Sequence, residues 1–267
     1  MNQSHPGLDQ VVQFGNSVRS EPFKEIQNNG YFVLPNRLSP GDCNEIINDI
    51  QEKGSKLPYR VKESSKFAGI YRSPFIYSDR LRDLLTASFI HDLLREIFPC
   101  GYQLHLNRAV HNQAYQGAST IEWHRDIPYL HSPSQHPLSI SFLSFHSQND
   151  SASLVIKEKS HRDFFYNFNE APSKPLSLEM GDIVVFDSNL VHHTPILTSD
   201  MFYNLFMFTT PIIKPVVNYT SSSFFSDFLN STYKAKEIIS LLGYDYLPPG
   251  DDSIYISRKL VHSPANN

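Results

Sequence analysis

His124-Arg125-Asp126 sets an imidazole and a carboxylate two residues apart, and further imidazoles follow in Leu190-Val191-His192-His193. In extended backbone, side chains at i and i+2 leave the same face. His124 and Asp126 can therefore aim at one metal ion while Arg125 points away. One distant His completes a two-His, one-carboxylate facial triad, the donor set of non-haem Fe(II) centres that keep three positions open for substrate and oxygen. The motif alone says little. The chain holds 12 His, and H-x-D also arises by chance or as a local His–Asp hydrogen bond in a polar loop.

A second pair, His161-Arg162-Asp163, is separated from the first by context. The stretch from Gln103 to His111 has the length of a strand, with Leu104, Leu106 and Val110 as apolar members, and a loop through Gly117 leads to His124. The second pair instead follows Ser153-Leu154-Val155-Ile156-Lys157 at a turn, where Ser160 and His161 are expected to brace a loop. His-Arg-Asp also occurs in protein-kinase catalytic loops, but no Gly-rich loop or Asp-Phe-Gly triplet accompanies it, which excludes a kinase.

The elements that must position these residues read as mainly β with flanking helices. Gly30-Tyr31-Phe32-Val33-Leu34 is a short buried strand. Ser39-Pro40-Gly41-Asp42 has the N-cap Ser, Pro and first-turn acid that open a helix, expected to run to about Lys53 with Cys43, Ile46, Ile47 and Ile50 on one face. Helical periodicity returns over 79–98 through Leu81, Leu84, Leu85, Ile90, Leu93, Leu94 and Ile97. From about 102 to 213 short strands take over: Ser139 to Phe145 with alternating faces, Leu154 to Ile156, Ile183 to Phe186 and Phe202 to Thr210. Such punctuated short strands predict a jelly-roll sandwich or barrel. Residues 1–20 read as loosely ordered and 218–267 as a helical extension carrying Phe224, Phe225, Phe228 and Leu229, the whole 1–267 forming one domain.

Composition sets the outer limits. Charged residues at 19% and aromatics at 13% mark a globular chain rather than a disordered one. A net charge of −4 offers no domain-wide basic excess for nucleic acid. Cys43 and Cys100 form no C-x-x-C, which excludes a thiolate zinc site. Met1 to Gln10 has no apolar leader core and no run reaches a membrane span, so a soluble cytoplasmic protein is expected. Between Glu52 and Arg72, Lys53, Lys56, Arg60, Lys62, Lys66 and Arg72 form a basic strip, readable as a solvated loop or as an entrance for an anionic substrate.

Four pieces taken in order carry a family resemblance: Gly30-Tyr31-Phe32-Val33-Leu34; Trp123-His124-Arg125-Asp126; Ser153-Leu154-Val155-Ile156 leading to Ser160-His161; and Gly181-Asp182-Ile183-Val184-Val185-Phe186 ahead of Leu190-Val191-His192. With them, residues 30 to about 213 resemble the phytanoyl-CoA dioxygenase-like family of Fe(II)/2-oxoglutarate oxygenases. The resemblance implies a double-stranded β-helix (jelly-roll, cupin-like) core and iron held by His124, Asp126 and His192. His193, adjacent to the ligand, would face the other way. It further implies 2-oxoglutarate and O2 as cosubstrates, with oxidative decarboxylation driving C–H hydroxylation. A retained Asp126 argues for hydroxylation over halogenation, since related halogenases lose that carboxylate.

One position departs from the family. Members place an Arg about eleven residues beyond the distal His, to pair with the far carboxylate of 2-oxoglutarate. Tyr203 stands there, beside Asn204, and the first cation after His193 is Lys214. A buried carboxylate without a cation is costly. Arg108, with Asn107 beside it, is the first substitute, although an ordinary ion pair would also explain it; Lys62 or Arg60 is the second, and Tyr203 and Thr194 could donate hydrogen bonds. Trp123 and Tyr129 could line an apolar substrate pocket, with Arg60 and Lys62 at its entrance. The leading expectation is a dioxygenase that hydroxylates a small or medium-sized organic molecule. A non-catalytic jelly-roll binding protein, or a metal enzyme without 2-oxoglutarate, remains the alternative.

Overall fold

The computed structural model describes residues 20–54, 60–61 (backbone), 69–114, 123–127, 137–147, 152–163 and 171–211, together with Ile238 and Leu241. The loosely ordered start (1–19), Tyr129, Lys62, the Arg60 side chain and the helical extension expected over 218–267, Ile238 and Leu241 apart, lie outside the described residues.

Four helices precede the main strands. α1 (Glu21–Asn29) has Ser20 as N-cap, whose hydroxyl accepts from the Phe23 amide at 3.4 Å, and it buries Phe23 and Ile26. Gly30 ends it at φ +93°, a left-handed conformation that L side chains rarely adopt. A Cβ there would also lie 2.6 Å from His161 Nδ1 and 2.6 Å from Leu190 Cδ1. α2 (Pro40–Glu52) opens on the expected cap, with Ser39 and Asp42 bonded reciprocally as a capping box. The periodic stretch over 79–98 forms two helices rather than one, α3 (Asp79–Leu85) and α4 (Ser88–Ile97). The break falls at Ala87, whose extended backbone (φ −68°, ψ 135°) cannot continue a helix.

The strands are β1 (Tyr31–Leu34), β2 (Arg60–Val61), β3 (Gly69–Arg72), β4 (Gln103–Asn112), β5 (Ser139–Phe145), β6 (Leu154–Ile156), β7 (Lys174–Leu176), β8 (Ile183–Asp187), β9 (His192–His193) and β10 (Met201–Thr209). A seven-stranded sheet runs β1-β8-β5-β10-β4-β3-β2 and a three-stranded sheet runs β7-β6-β9, every pairing antiparallel. The result is a jelly roll with helices on one face.

Strand alternation divides the apolar residues between two cores. Ile140 and Phe142 of β5, Ile183 and Val185 of β8, and Phe206 and Phe208 of β10 pack with α1–α4. Leu143, Phe145, Val184, Phe186, Leu205 and Met207 face the other way and meet Leu154, Ile156 and Leu176 of the small sheet. A pocket opens inside this second core. Among the described residues no helix is long and apolar enough to cross a membrane.

Candidate metal centre and its pocket

Two segments distant in sequence are zipped together at the site. The His124 amide donates to the His192 carbonyl at 3.1 Å and the His192 amide returns a bond to the His124 carbonyl at 3.0 Å. This single antiparallel bridge extends the small sheet by one residue beyond β9. The Asp126 amide donates to Ser188 O at 2.9 Å, fixing the far end of the H-x-D segment on the turn between β8 and β9.

Arg125 takes the opposite face, as period-two alternation requires. Its buried guanidinium donates to the carbonyls of Ser160 (2.9 Å), Asp163 (2.6 Å) and Asn189. It thereby ties the H-x-D segment to the turn that carries the second His-Arg-Asp pair. That turn is the expected brace: Ser160 Oγ accepts the Val191 amide at 2.8 Å, and the His161 Nε2 lies 3.2 Å from Gln27 O. Buried beside Arg125, Asp187 has its carboxyl pushed up to about 7 by desolvation, opposed by the Asn189 amide and the guanidinium.

The three ligand candidates converge. One ligand atom each from His124, Asp126 and His192 lies within 4.8 Å of the others. Asp126 Oδ1 is 3.8 Å from His124 Nε2 and 3.7 Å from His192 Nε2. His192 Nδ1 lies 2.9 Å from Leu190 O; donation to that carbonyl fixes the tautomer and leaves the Nε2 lone pair for a metal. The other carboxylate oxygen, Asp126 Oδ2, accepts from Ser141 Oγ at 2.9 Å. Two imidazoles and one carboxylate converge, with the outward atoms of His192 and Asp126 hydrogen-bonded, and these are the donors a facial Fe(II) site needs.

His193 faces away, with its ring 4.2 Å from that of Trp123. Trp123 in turn sits under Lys157, whose Nζ is 4.5 Å from the ring centroid. Trp123, expected to touch substrate, is not among the residues lining the pocket.

A cavity of about 200 Å³ adjoins the triad, walled by Ile70, Val110, Leu143, Phe145, Leu154, Phe186, Met201 and Leu205. Its polar members besides the triad are Arg108, Ser153, Thr194 and Tyr203. Arg108 is thus the one cation on this wall among the described residues. The antiparallel register sets Arg108 opposite Leu205 and Val110 opposite Tyr203, so Arg108 and Tyr203 are diagonal neighbours on one sheet face. The half-buried Arg108 guanidinium makes no hydrogen bond or ion pair to another described residue. Burial pushes the Tyr203 phenol up to about 12, with Arg108 lowering and Asp126 raising it, so the phenol stays a proton donor within the field of both.

Asn107 is used differently. It lies on the helix side of β4, where its Nδ2 donates to Asn204 Oδ1 (2.8 Å) and Leu205 O (2.9 Å) while its Oδ1 accepts the Phe75 amide at 3.2 Å. Its amide is committed to bracing the fold and is absent from the pocket wall. Sequence reasoning missed Ser141 and Ser188. The available signal was Ser139-Ile140-Ser141, which puts two small hydroxyls on the strand face that continues with Leu143 and Phe145.

Comparison with known proteins agrees with this geometry. The family model for phytanoyl-CoA dioxygenase (PhyH) matches residues 26–202. No curated protein matches the chain in sequence. Among solved structures, HygX from Streptomyces hygroscopicus with nickel, 2-oxoglutarate and hygromycin B bound superposes with a TM-score of 0.61 at 13% identity, covering 78% of this chain and 94% of that one. The non-haem α-ketoglutarate-dependent epimerase SnoN from nogalamycin biosynthesis gives 0.57 at 14%, covering 71% and 81%. At these identities the likeness establishes a shared fold.

Proposed function

Because the chain belongs to the phytanoyl-CoA dioxygenase family, whose cofactors are Fe(II), 2-oxoglutarate and O2, we propose that this oxygenase hydroxylates a C–H bond of a small or medium-sized organic molecule. The observation that carries the reading is the convergence of His124, Asp126 and His192 on one wall of a pocket that also holds Arg108. When bound, the metal with its cosubstrates supplies the oxidising power; the chain supplies orientation, charge and dryness.

His124, Asp126 and His192 would hold the metal from one wall of the pocket, and the rest of the pocket would be free for the cosubstrate. Arg108 takes the distal carboxylate of 2-oxoglutarate, reaching it from β4 where the family's usual residue would reach it from β10. Tyr203, standing in the family's Arg position, stays protonated and donates a hydrogen bond to the same carboxylate or to its neighbour, with Thr194 as a further donor. The apolar wall from Leu143, Phe145, Phe186 and Leu205 excludes water from the reacting centre. A volume of about 200 Å³ is below the roughly 300 Å³ at which small-molecule pockets begin. It suits the five-carbon cosubstrate and leaves the substrate at the mouth.

The balanced reaction is one substrate C–H, one O2 and one 2-oxoglutarate giving one alcohol, one succinate and one CO2. Fe(II)-dependent release of succinate and CO2, lost in H124A and H192A, tests the oxygenase reading. Product mass then tests hydroxylation: a gain of one oxygen atom supports it, whereas an isomer of unchanged mass would place the chain with epimerases such as SnoN. Metal binding without any succinate would leave a binding protein.

A further inference from the structure

Asp126 Oδ2 begins a line of buried hydroxyls. Ser141 Oγ lies 2.9 Å from it, Ser188 Oγ 2.9 Å from Ser141 Oγ, and Ser139 Oγ 2.7 Å from Ser188 Oγ. All three serines are 0% exposed. Their placement follows from the fold: Ser139 and Ser141 are i and i+2 on β5 and share its inward face, while Ser188 heads the turn after β8. Two backbone bonds hold the turn in register, Ser188 N to Ser139 O at 3.2 Å and Asp126 N to Ser188 O at 2.9 Å.

The direction of the line is forced by chemistry. An ionised carboxylate only accepts, so Ser141 must give its proton to Asp126 Oδ2. Ser141 Oγ is then open to accept from Ser188, and Ser188 to accept from Ser139. Hydroxyls aligned head to tail polarise one another, so the last donor is stronger than an isolated serine. The opposite carboxylate oxygen, Oδ1, is the one facing His124 and His192 Nε2.

Resting on the metal-centre reading above, we propose that Ser139, Ser188 and Ser141 form a one-way hydroxyl relay that holds Asp126 as a single-oxygen metal ligand, with Ser141 as the positioning residue. With Oδ2 engaged by Ser141 on the side away from the imidazoles, Asp126 is biased toward offering Oδ1 alone. A position on the metal that a two-oxygen carboxylate would fill stays open for cosubstrate or oxygen. The relay uses neutral donors, so the carboxylate's charge is left to the metal; a Lys or Arg in the place of Ser141 would compete for it.

The test is Co(II) binding to the full chain, followed by calorimetry and by the cobalt visible spectrum, which reports coordination number. Variants outside the ligand set give a graded series. S141A is expected to weaken Co(II) binding about 10- to 100-fold, the usual effect of losing an outer-shell partner, and to weaken the visible band as coordination number rises. S188A, which only shortens the relay, is expected to lose less, about three- to tenfold, and S139A least. Melting temperature without metal separates this from a packing role, which would lower stability in all three while leaving the spectrum unchanged. The proposal is overturned if folded S141A matches wild type in affinity and spectrum, or if S139A loses as much as S141A. Should the wild-type chain bind no Co(II), the metal-centre reading fails and takes the relay with it. Should wild type bind, H192A not bind and S141A match wild type, the relay alone fails.

Discussion

Replacing Arg108 by Ala asks whether a cation on β4 does the work that the family assigns to β10. The guanidinium is half-buried on the pocket wall and its charge is felt at Tyr203. A hydrogen bond to a charged group contributes about 1.5–3 kcal/mol, and truncating one partner of a buried charge pair costs about 2–5 kcal/mol. Partial exposure of Arg108 argues for the lower part of that range. The expected loss is about 2–3 kcal/mol, or about 30- to 150-fold in 2-oxoglutarate affinity. R108K should recover part of it, because an ammonium supplies charge without the two-pronged geometry. The assay is calorimetric titration of the Ni(II)-loaded protein, with a five-carbon 2-oxoacid lacking the distal carboxylate as control. That control should bind wild type and R108A alike. Equal losses for both acids, or 2-oxoglutarate affinity in R108A within threefold of wild type, would refute the assignment. A loss in K62A instead would move the anchor to the basic strip.

Other perturbations probe the frame around the site. G30A forces a Cβ within 2.6 Å of His161 Nδ1 and Leu190 Cδ1 at a φ of +93°; a destabilisation of about 2 kcal/mol or more in urea unfolding is expected. R125M leaves the carbonyls of Ser160, Asp163 and Asn189 without their shared donor, and about 3 kcal/mol of lost stability should accompany weaker Co(II) binding. His146 is fully buried, and desolvation pushes its imidazole down to about 3 from an ordinary 6.5. The unfolded chain therefore takes up a proton that the fold refuses. The neutral-His contribution is complete above pH about 6.5 and is lost as pH falls toward 3. H146F should flatten that part of the stability–pH curve, seen by chemical denaturation between pH 4 and 7 in steps of about half a unit.

Much of this site was legible because its chemistry is tied to strand periodicity. The i, i+2 spacing of His124 and Asp126 fixed a shared face, and the structure brings His192 to them and turns His193 toward Trp123. The same alternation separates Trp123 from His124 and Asn107 from Arg108, so Trp123 and Asn107 lie off the wall that His124 and Arg108 line. The helix α1 is marked in sequence only by Ser20, Pro22 and the Phe23–Ile26 spacing, a short signal beside the strongly apolar strand after Gly30. The break between α3 and α4 has no Gly or Pro to mark it, and the apolar pattern runs on across it. The serine relay was hidden for a different reason. Hydroxyl contacts join β5 to a turn nearly fifty residues later, at |i−j| = 49 and 47, and no local pattern predicts which buried serines meet.

The Arg-to-Tyr departure at position 203 removes the family's usual cation, and Arg108 is the first substitute that the sequence offers. In the fold, β4 and β10 are adjacent and antiparallel, and a side chain two positions along the neighbouring strand reaches the same space. On the proposed reading, the cosubstrate anchor has moved between these neighbouring strands, and R108A tests it.

The central claim is tested most directly by anaerobic titration of Fe(II) in the presence of 2-oxoglutarate, watching for the weak visible charge-transfer band of the chelate. Wild type and H193A are expected to show a saturating band at one iron per chain, and H192A none. A band that persists in H192A, or that disappears in H193A alone, would contradict the His124–Asp126–His192 centre.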